Sequence, residues 1–144
     1  MGKKRIIDQS GETVPTDKAT TPTPRGSKSR VVSGTLYVQA TYNNTKLLFT
    51  DNDGNALFAS SSGTLGFSGA KKGTPFAAAK VGELIGEKAA EMGVREADVV
   101  VKGVGSGRES SIRAFSSKGI QILSIKDATP VPHNGPKSKK PRRV

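Results

Sequence analysis

A chain of 144 residues has room for one domain of ordinary size with a tail or two. It carries 23 Lys+Arg against 12 Asp+Glu, a net charge of +11, no cysteine and a single histidine, His133. That excludes disulfide scaffolds, zinc knuckles, iron–sulfur clusters, thiol nucleophiles and multi-histidine metal sites, so neither metal nor cofactor is expected. No apolar run approaches the roughly 18 residues of a membrane span, and the opening MGKKRIIDQS lacks a signal-peptide stretch. The composition reads as a soluble, intracellular, strongly basic protein whose natural partners are polyanions, nucleic acid first.

The charge is unevenly placed. Residues 1–30 hold seven bases and three acids, residues 31–128 eleven and nine, and residues 129–144 five and none. A nearly balanced domain, 31–128, is thus flanked by two basic arms. The N-terminal arm is rich in Thr, Pro and Ser and has little to bury, so it cannot offset its chain entropy alone. It is either a solubilising leader or a segment that orders on an anionic surface, with Arg25, Lys28 and Arg30 as candidate RNA contacts. The C-terminal arm, with four prolines and five bases, is expected to lie irregularly on something else.

In chain order, Thr35–Tyr42 is β-branched and aromatic and predicts a strand that Asn43-Asn44-Thr45 breaks. Lys46–Thr50 and Ala56–Ala59 predict two more strands around an Asp53-Gly54 turn. Ser60–Gly73 has no periodicity and reads as a flexible loop. Thr74-Pro75 marks a helix start, followed by Val81, Leu84, Ile85, Ala89 and Met92 at helical spacing and Gly93 as the C-terminal stop. Asp98–Lys102 reads as a buried strand. Ser106 and Glu109, in capping-box spacing, open a second helix through Ser117, with Ile112 and Phe115 inward and Gly119 ending it. Ile120–Lys126 closes the sheet. The order β-β-β-α-β-α-β predicts a single α/β domain with right-handed crossovers and part of the sheet parallel.

Enzymatic readings fail in turn. Gly103–Gly107 gives G-x-G-x-G between a strand and a helix, but Arg108 stands where a third dinucleotide-binding glycine belongs, and the strand about 20 residues on is expected to end in Ile125-Lys126 and not in an acid. No phosphate-loop motif occurs, and the first strand holds no carboxylate for a metal nuclease. Asp51, Asp53 and Asp127 fit turns and strand ends. The catalytic set is therefore empty.

The same glycines suit anion binding, because a loop at a helix N-terminus exposes backbone N–H groups such as those of Gly105 and Gly107. Lys102, Arg108 and Arg113 flank the loop and make a candidate phosphate clamp; otherwise the glycines make a tight turn and the side chains sit in water. Lys71 and Lys72 form a second cluster, and Phe67 between them and the sheet either stacks on a base or pins its loop. Seven aromatics are too few for a multi-aromatic single-strand platform, so binding should lean on backbone and shape.

Five ungapped motifs in order then resemble the bacterial-type small-subunit ribosomal protein S-eleven family. They are A-T-Y-N-N-T (Ala40–Thr45), D-x-x-G-N-A-L (Asp51–Leu57), G-F-x-G-x-K-K-x-T-P-F-A-A (Gly66–Ala78), V-K-G-x-G-x-G-R-E-S-x-I-R-A (Val101–Ala114) and the close Asp127–Val144. The resemblance implies a ribonuclease-H-like fold without catalysis, in a protein of the small-subunit platform that binds small-subunit ribosomal RNA. It implies a place beside the exit site and the upstream messenger leader, among the neighbours S-seven, S-eighteen and S-twenty-one. Carried onto matching positions, RNA contacts fall on Asn43, Asn44, Lys71, Lys72, Arg108 and Arg113, and on the tail bases Lys137, Lys139, Lys140, Arg142 and Arg143. Here Val104 and Ser106 replace the family's usual prolines, and Pro136-Lys137 replaces its usual Cys-Arg. Asn134-Gly135 is open to succinimide formation, since glycine leaves the next backbone nitrogen unhindered, and the matching family position resembles an isoaspartate site. A magnesium-dependent nuclease on the same fold and a general DNA-compacting protein are the rival readings.

Overall fold

A computed structural model of the chain describes residues 31–143, so Arg25, Lys28 and Arg30 lie outside the described residues. Strands β1 (Ser33–Ala40), β2 (Thr45–Asp51) and β3 (Ala56–Ser61) form an antiparallel meander. Helix α1 (Pro75–Glu91), strand β4 (Glu96–Lys102), helix α2 (Gly107–Ser116) and strand β5 (Gln121–Asp127) follow. The sheet order is β3-β2-β1-β4-β5, with β1, β4 and β5 parallel. This is the predicted single α/β domain in its ribonuclease-H-like arrangement.

Strand alternation divides the sheet into a covered and an open face. Leu36, Val38 and Ala40 of β1, Leu47 and Phe49 of β2, and Ala97, Val99 and Val101 of β4 are buried under the helices. Phe49 joins Phe58 and Phe115 there, at ring-centroid distances of 6.5 and 6.0 Å. Tyr37, Gln39, Leu48 and Val100 point the other way and stay wholly or partly exposed.

The two helices meet through small residues. The buried side of α1 is Ala77, Ala78, Val81, Gly82, Ile85, Gly86 and Ala89. A Cβ built on Gly82 would lie 2.4 Å from the Ser111 carbonyl oxygen of α2. Helical spacing points to Leu84 and Met92 as inward-facing; both are only partly buried, since Leu84 shares a surface recess with Leu65 and Phe67 and Met92 follows the last turn of the helix. Thr74 caps α1 as expected, its hydroxyl accepting from the Ala77 amide. Gly93, at φ +88°, ends it with the Gly93 amide on the Ala90 carbonyl and the Val94 amide on that of Ala89.

Three expectations need correction. The first strand stops at Ala40, since the Thr41 amide donates to the Asn44 carbonyl and the Asn44 amide to the Thr41 hydroxyl, closing a tight turn that leaves Tyr42 79 % exposed. Ser60–Gly73 is not a featureless loop: Ser60 and Ser61 extend β3, Ser62 is fully buried, and Gly69–Gly73 forms a 3-10 turn. Small serines carry no strand signal, yet Ser60 stands opposite Leu47 in the sheet and the Ser62 amide donates to the Thr45 carbonyl. The capping box before α2 is absent: Ser106 adopts helical dihedrals and donates instead to the Gly73 carbonyl at 2.7 Å, while Glu109 pairs with Arg113.

Gly82→Ala should destabilise the fold. The methyl gains up to about 1 kcal/mol of helix propensity but must displace the Ser111 backbone, an overpacking cost of roughly 1–3 kcal/mol. Urea denaturation should show a lower midpoint with an unchanged slope.

Candidate nucleic-acid interface

The carboxyl ends of the parallel strands share one edge of the sheet, and most candidate residues gather there. Two chain segments close on the end of β1, backbone against backbone. A Cβ on Gly103 would stand 2.1 Å from the Ala40 carbonyl oxygen, one on Gly105 2.2 Å from that of Thr41, and one on Gly73 2.2 Å from that of Tyr42. No residue larger than glycine fits these three positions without moving main chain. The Gly105 amide donates to the Ala40 carbonyl at 2.9 Å, and the Ser106 hydroxyl ties the Gly103–Gly107 loop to Gly73. The β1–β2 turn with Asn43 and Asn44, the 3-10 turn with Lys71 and Lys72, and the glycine loop are therefore one continuous surface.

Lys71 and Lys72 make no ion pair among the described residues. They sit in the last turn of the 3-10 segment, immediately before Thr74. Phe67 is half-buried and meets Phe76 edge-on, with centroids 6.1 Å apart, so it pins its loop to the first turn of α1.

The predicted clamp of Lys102, Arg108 and Arg113 is not assembled. Strand alternation sends Lys102 to the open face beside Gln39, and five helical residues rotate Arg113 about 140° from Arg108. Arg113 pairs with Glu109, both well exposed, beside the groove between α2 and β5. Of the loop amides, those of Gly103 and Gly105 are already bonded, to the Thr129 hydroxyl and to Ala40.

Arg108 instead fastens the tail. Its guanidinium donates to the Gly103 carbonyl and the Thr129 hydroxyl and pairs with the Asp127 carboxylate at 2.6 Å. Asp127 also accepts from the Thr129 hydroxyl and amide at 2.6 and 2.9 Å. The sequence marks Asp127 only as a strand end; its partner Arg108 is 19 residues away, and nothing local announces such a pair. Beyond Thr129 the chain runs exposed from Val131, so Lys137, Lys139, Lys140, Arg142 and Arg143 all face solvent. Two further exposed residues of this region, Lys46 and Tyr42, carry no sequence signal that singles them out.

The Thr129 hydroxyl, the Arg108 guanidinium and the Thr129 amide hold the Asp127 carboxyl well below the ordinary value of 3.8. A depressed carboxylate stabilises its surroundings above its unfolded pKa and loses that contribution only as pH falls through its folded value. Hydrogen exchange at the Gly103 amide, corrected for intrinsic rate, should therefore show level protection between about pH 5 and pH 8. In Asp127→Ala the protection should be lower throughout that window; a drop on going from pH 8 to pH 5 in the unaltered chain would contradict this.

Comparison with known proteins points to one family. The family model described as Ribosomal protein S11 matches residues 34–143. The small ribosomal subunit protein uS11 of Treponema pallidum (strain Nichols) is 52 % identical over 120 residues, covering 83 % of this chain and 95 % of the relative. Its namesakes in Leptothrix cholodnii and Ruthia magnifica are 46 % and 47 % identical over 130 and 126 residues, covering 90 % and 88 % of this chain and 97 % and 99 % of their own. With the glycine-locked edge, an uncompensated lysine pair and a basic tail already in place, the chain belongs to the ribosomal protein S11 family, whose members are structural parts of the small subunit and not enzymes.

Proposed function

We propose that the protein binds small-subunit ribosomal RNA in the platform, beside the exit site and the path of the upstream messenger leader. Its neighbours there are the small-subunit proteins S-seven, S-eighteen and S-twenty-one, in the cytoplasmic ribosome. The observation that carries the RNA reading is the convergence at one sheet edge of the Asn43-Asn44 turn, the unpaired Lys71 and Lys72, and a glycine loop locked in place. A surface of exposed amides, lysines and close-lying main chain suits phosphates and sugars in a folded RNA rather than a string of bases.

The parts act differently. Lys71 and Lys72 offer point charges on a rigid turn. Gly105 and Gly107 are buried, and having no Cβ lets them lie against Thr41 and against Thr45 and Ala78, which fixes the height of the loop at the RNA-facing edge; Arg108 holds that loop and lends its partly exposed guanidinium. Lys102 and Arg113 extend the basic surface over the two flanks of this edge. The tail bases Lys137–Arg143 thread along RNA grooves, and Arg25, Lys28 and Arg30 of the N-terminal segment add contacts of the same kind.

A salt titration against a platform RNA fragment, beside a scrambled RNA of equal length, tests this reading. The platform fragment should bind at least about tenfold tighter, roughly 1.4 kcal/mol. Lys71→Gln with Lys72→Gln should weaken binding and flatten the log–log salt slope by roughly 0.7–0.9 for each phosphate no longer neutralised. Removing residues 137–144 should flatten it further while keeping the preference. Equal binding of both RNAs would reduce the protein to a generic polyanion binder.

Asn134 is the proposed isoaspartate site. It is exposed and sits at φ +52°, the one non-glycine residue with positive φ among those described, next to Gly135. Peptide mapping of assembled subunits should find isoaspartate at 134; a wholly unmodified asparagine would count against it.

A further inference from the structure

The open face of the sheet is a second basic surface, away from the loops. Its residues are set by register. Gln39 on β1 is flanked by Lys46 on β2 and Lys102 on β4. In the next row Tyr37 is flanked by Leu48 and Val100, and Val100 is followed on β5 by Lys126. With strands about 4.8 Å apart, the Cα atoms of Lys46 and Lys102 stand roughly 10 Å from each other across Gln39. These two rows line a shallow concavity of about 570 Å³.

Three features of this concavity point to a ligand. Tyr37 is 39 % exposed, its ring backed by aliphatic neighbours on both sides. Lys46, Lys102 and Lys126 make no ion pair among the described residues; the nearest acid in register, Asp98, lies one row further and accepts from Ser124 at 2.6 Å. The concavity also continues into an adjoining recess lined by Gln39, Thr41, Asn44 and Lys46, which gives room for a group beyond a stacked base.

We propose that this face is a separate site for an unpaired stretch of about two ribonucleotides. One base stacks on the Tyr37 ring, the Gln39 amide meets polar edges of base or sugar, and the flanking phosphates lie on Lys46 and Lys102. Peptide docking is less well served. β2, β1 and β4 are hydrogen-bonded on both sides, so no free strand edge exists within the concavity for main-chain pairing. What it offers is a π face, amide groups and cations at phosphate-like spacing. A single aromatic also fits a small site, not the multi-aromatic platform that the composition argues against. The inference rests on the protein being an RNA binder but uses none of the loop residues that carry that reading.

The test uses the full chain and a labelled, unstructured CAACAA RNA hexamer, measured by fluorescence anisotropy, with the platform fragment in parallel. Tyr37→Leu should weaken hexamer binding roughly tenfold, the loss of one base–aromatic stack, and Tyr37→Phe should keep it. Lys46→Gln with Lys102→Gln should lower the hexamer's salt slope by roughly 0.7 per phosphate released. Lys71→Gln with Lys72→Gln should leave the hexamer unaffected. Undiminished fragment binding by Tyr37→Leu verifies that this variant is folded. The proposal falls if Tyr37→Leu binds the hexamer normally, if only the Lys71/Lys72 changes weaken it, or if an acidic hexapeptide binds this face and the hexamer does not. Failure of the hexamer alone overturns this site; failure of both RNAs overturns the RNA-binding reading itself.

Discussion

Main chain rests on main chain at the carboxyl end of β1, and the candidate RNA edge exists because of it. Gly73, Gly103 and Gly105 each lie against a carbonyl of the 40–42 segment at distances that exclude any Cβ. Three loops from distant parts of the sequence are thereby held at fixed positions relative to one another. Side-chain packing alone would leave such loops free to slide; backbone contact, reinforced by the Gly105–Ala40 and Ser106–Gly73 hydrogen bonds, does not. Lysines and amides on these loops then present a pattern rather than a diffuse charge, which is what recognition of a folded RNA demands.

The electrostatics follow the same division. Ion pairs within the domain are few and mostly exposed, and such pairs add little to stability. The exception in kind is Arg108 with Asp127, where the pair works as a fastener joining the loop before α2, the end of β5 and the start of the tail. The cations left over, on the 3-10 turn, the open sheet face and the tail, are those not needed for folding. Because the core asks for no charge and these cations have no internal partners, folding and the proposed RNA contacts draw on largely separate residues, with Arg108 shared between them.

The sheet is also one-sided. Both helices cover the same face and pack on each other through Gly82 and Gly86, so the entire small core lies between them and the sheet. Thirteen buried residues, with Phe49 and Phe115 the largest, suffice for this because the helices approach so closely. The other face is left to solvent with Tyr37 at its centre. In a fold of this arrangement a catalytic member would need acids at strand ends; β1 here holds none, and its outward residues are Tyr and Gln.

Element types and order were legible in the sequence because they depend on local signals. Thr74-Pro75 and Gly93 bounded α1 and alternation marked β1 and β5. Five ordered motifs pointed to the family, and the basic arms were visible in composition alone. Local signals misled where a residue's partner was distant. Ser106 looked like a cap but bonds Gly73, 33 residues away; Arg108 looked like a free cation but is committed to Asp127 and Thr129; Ser60 and Ser62 looked like loop but are buried against β2. The glycines of α1 gave no hint of their role, since a close helix contact is a property of two surfaces and not of one. The sequence by itself determined which residues are apolar, which are charged and where the chain turns. Only the tertiary structure decided which charges are spent on internal partners and which remain outside, because that depends on what the fold brings within hydrogen-bond reach.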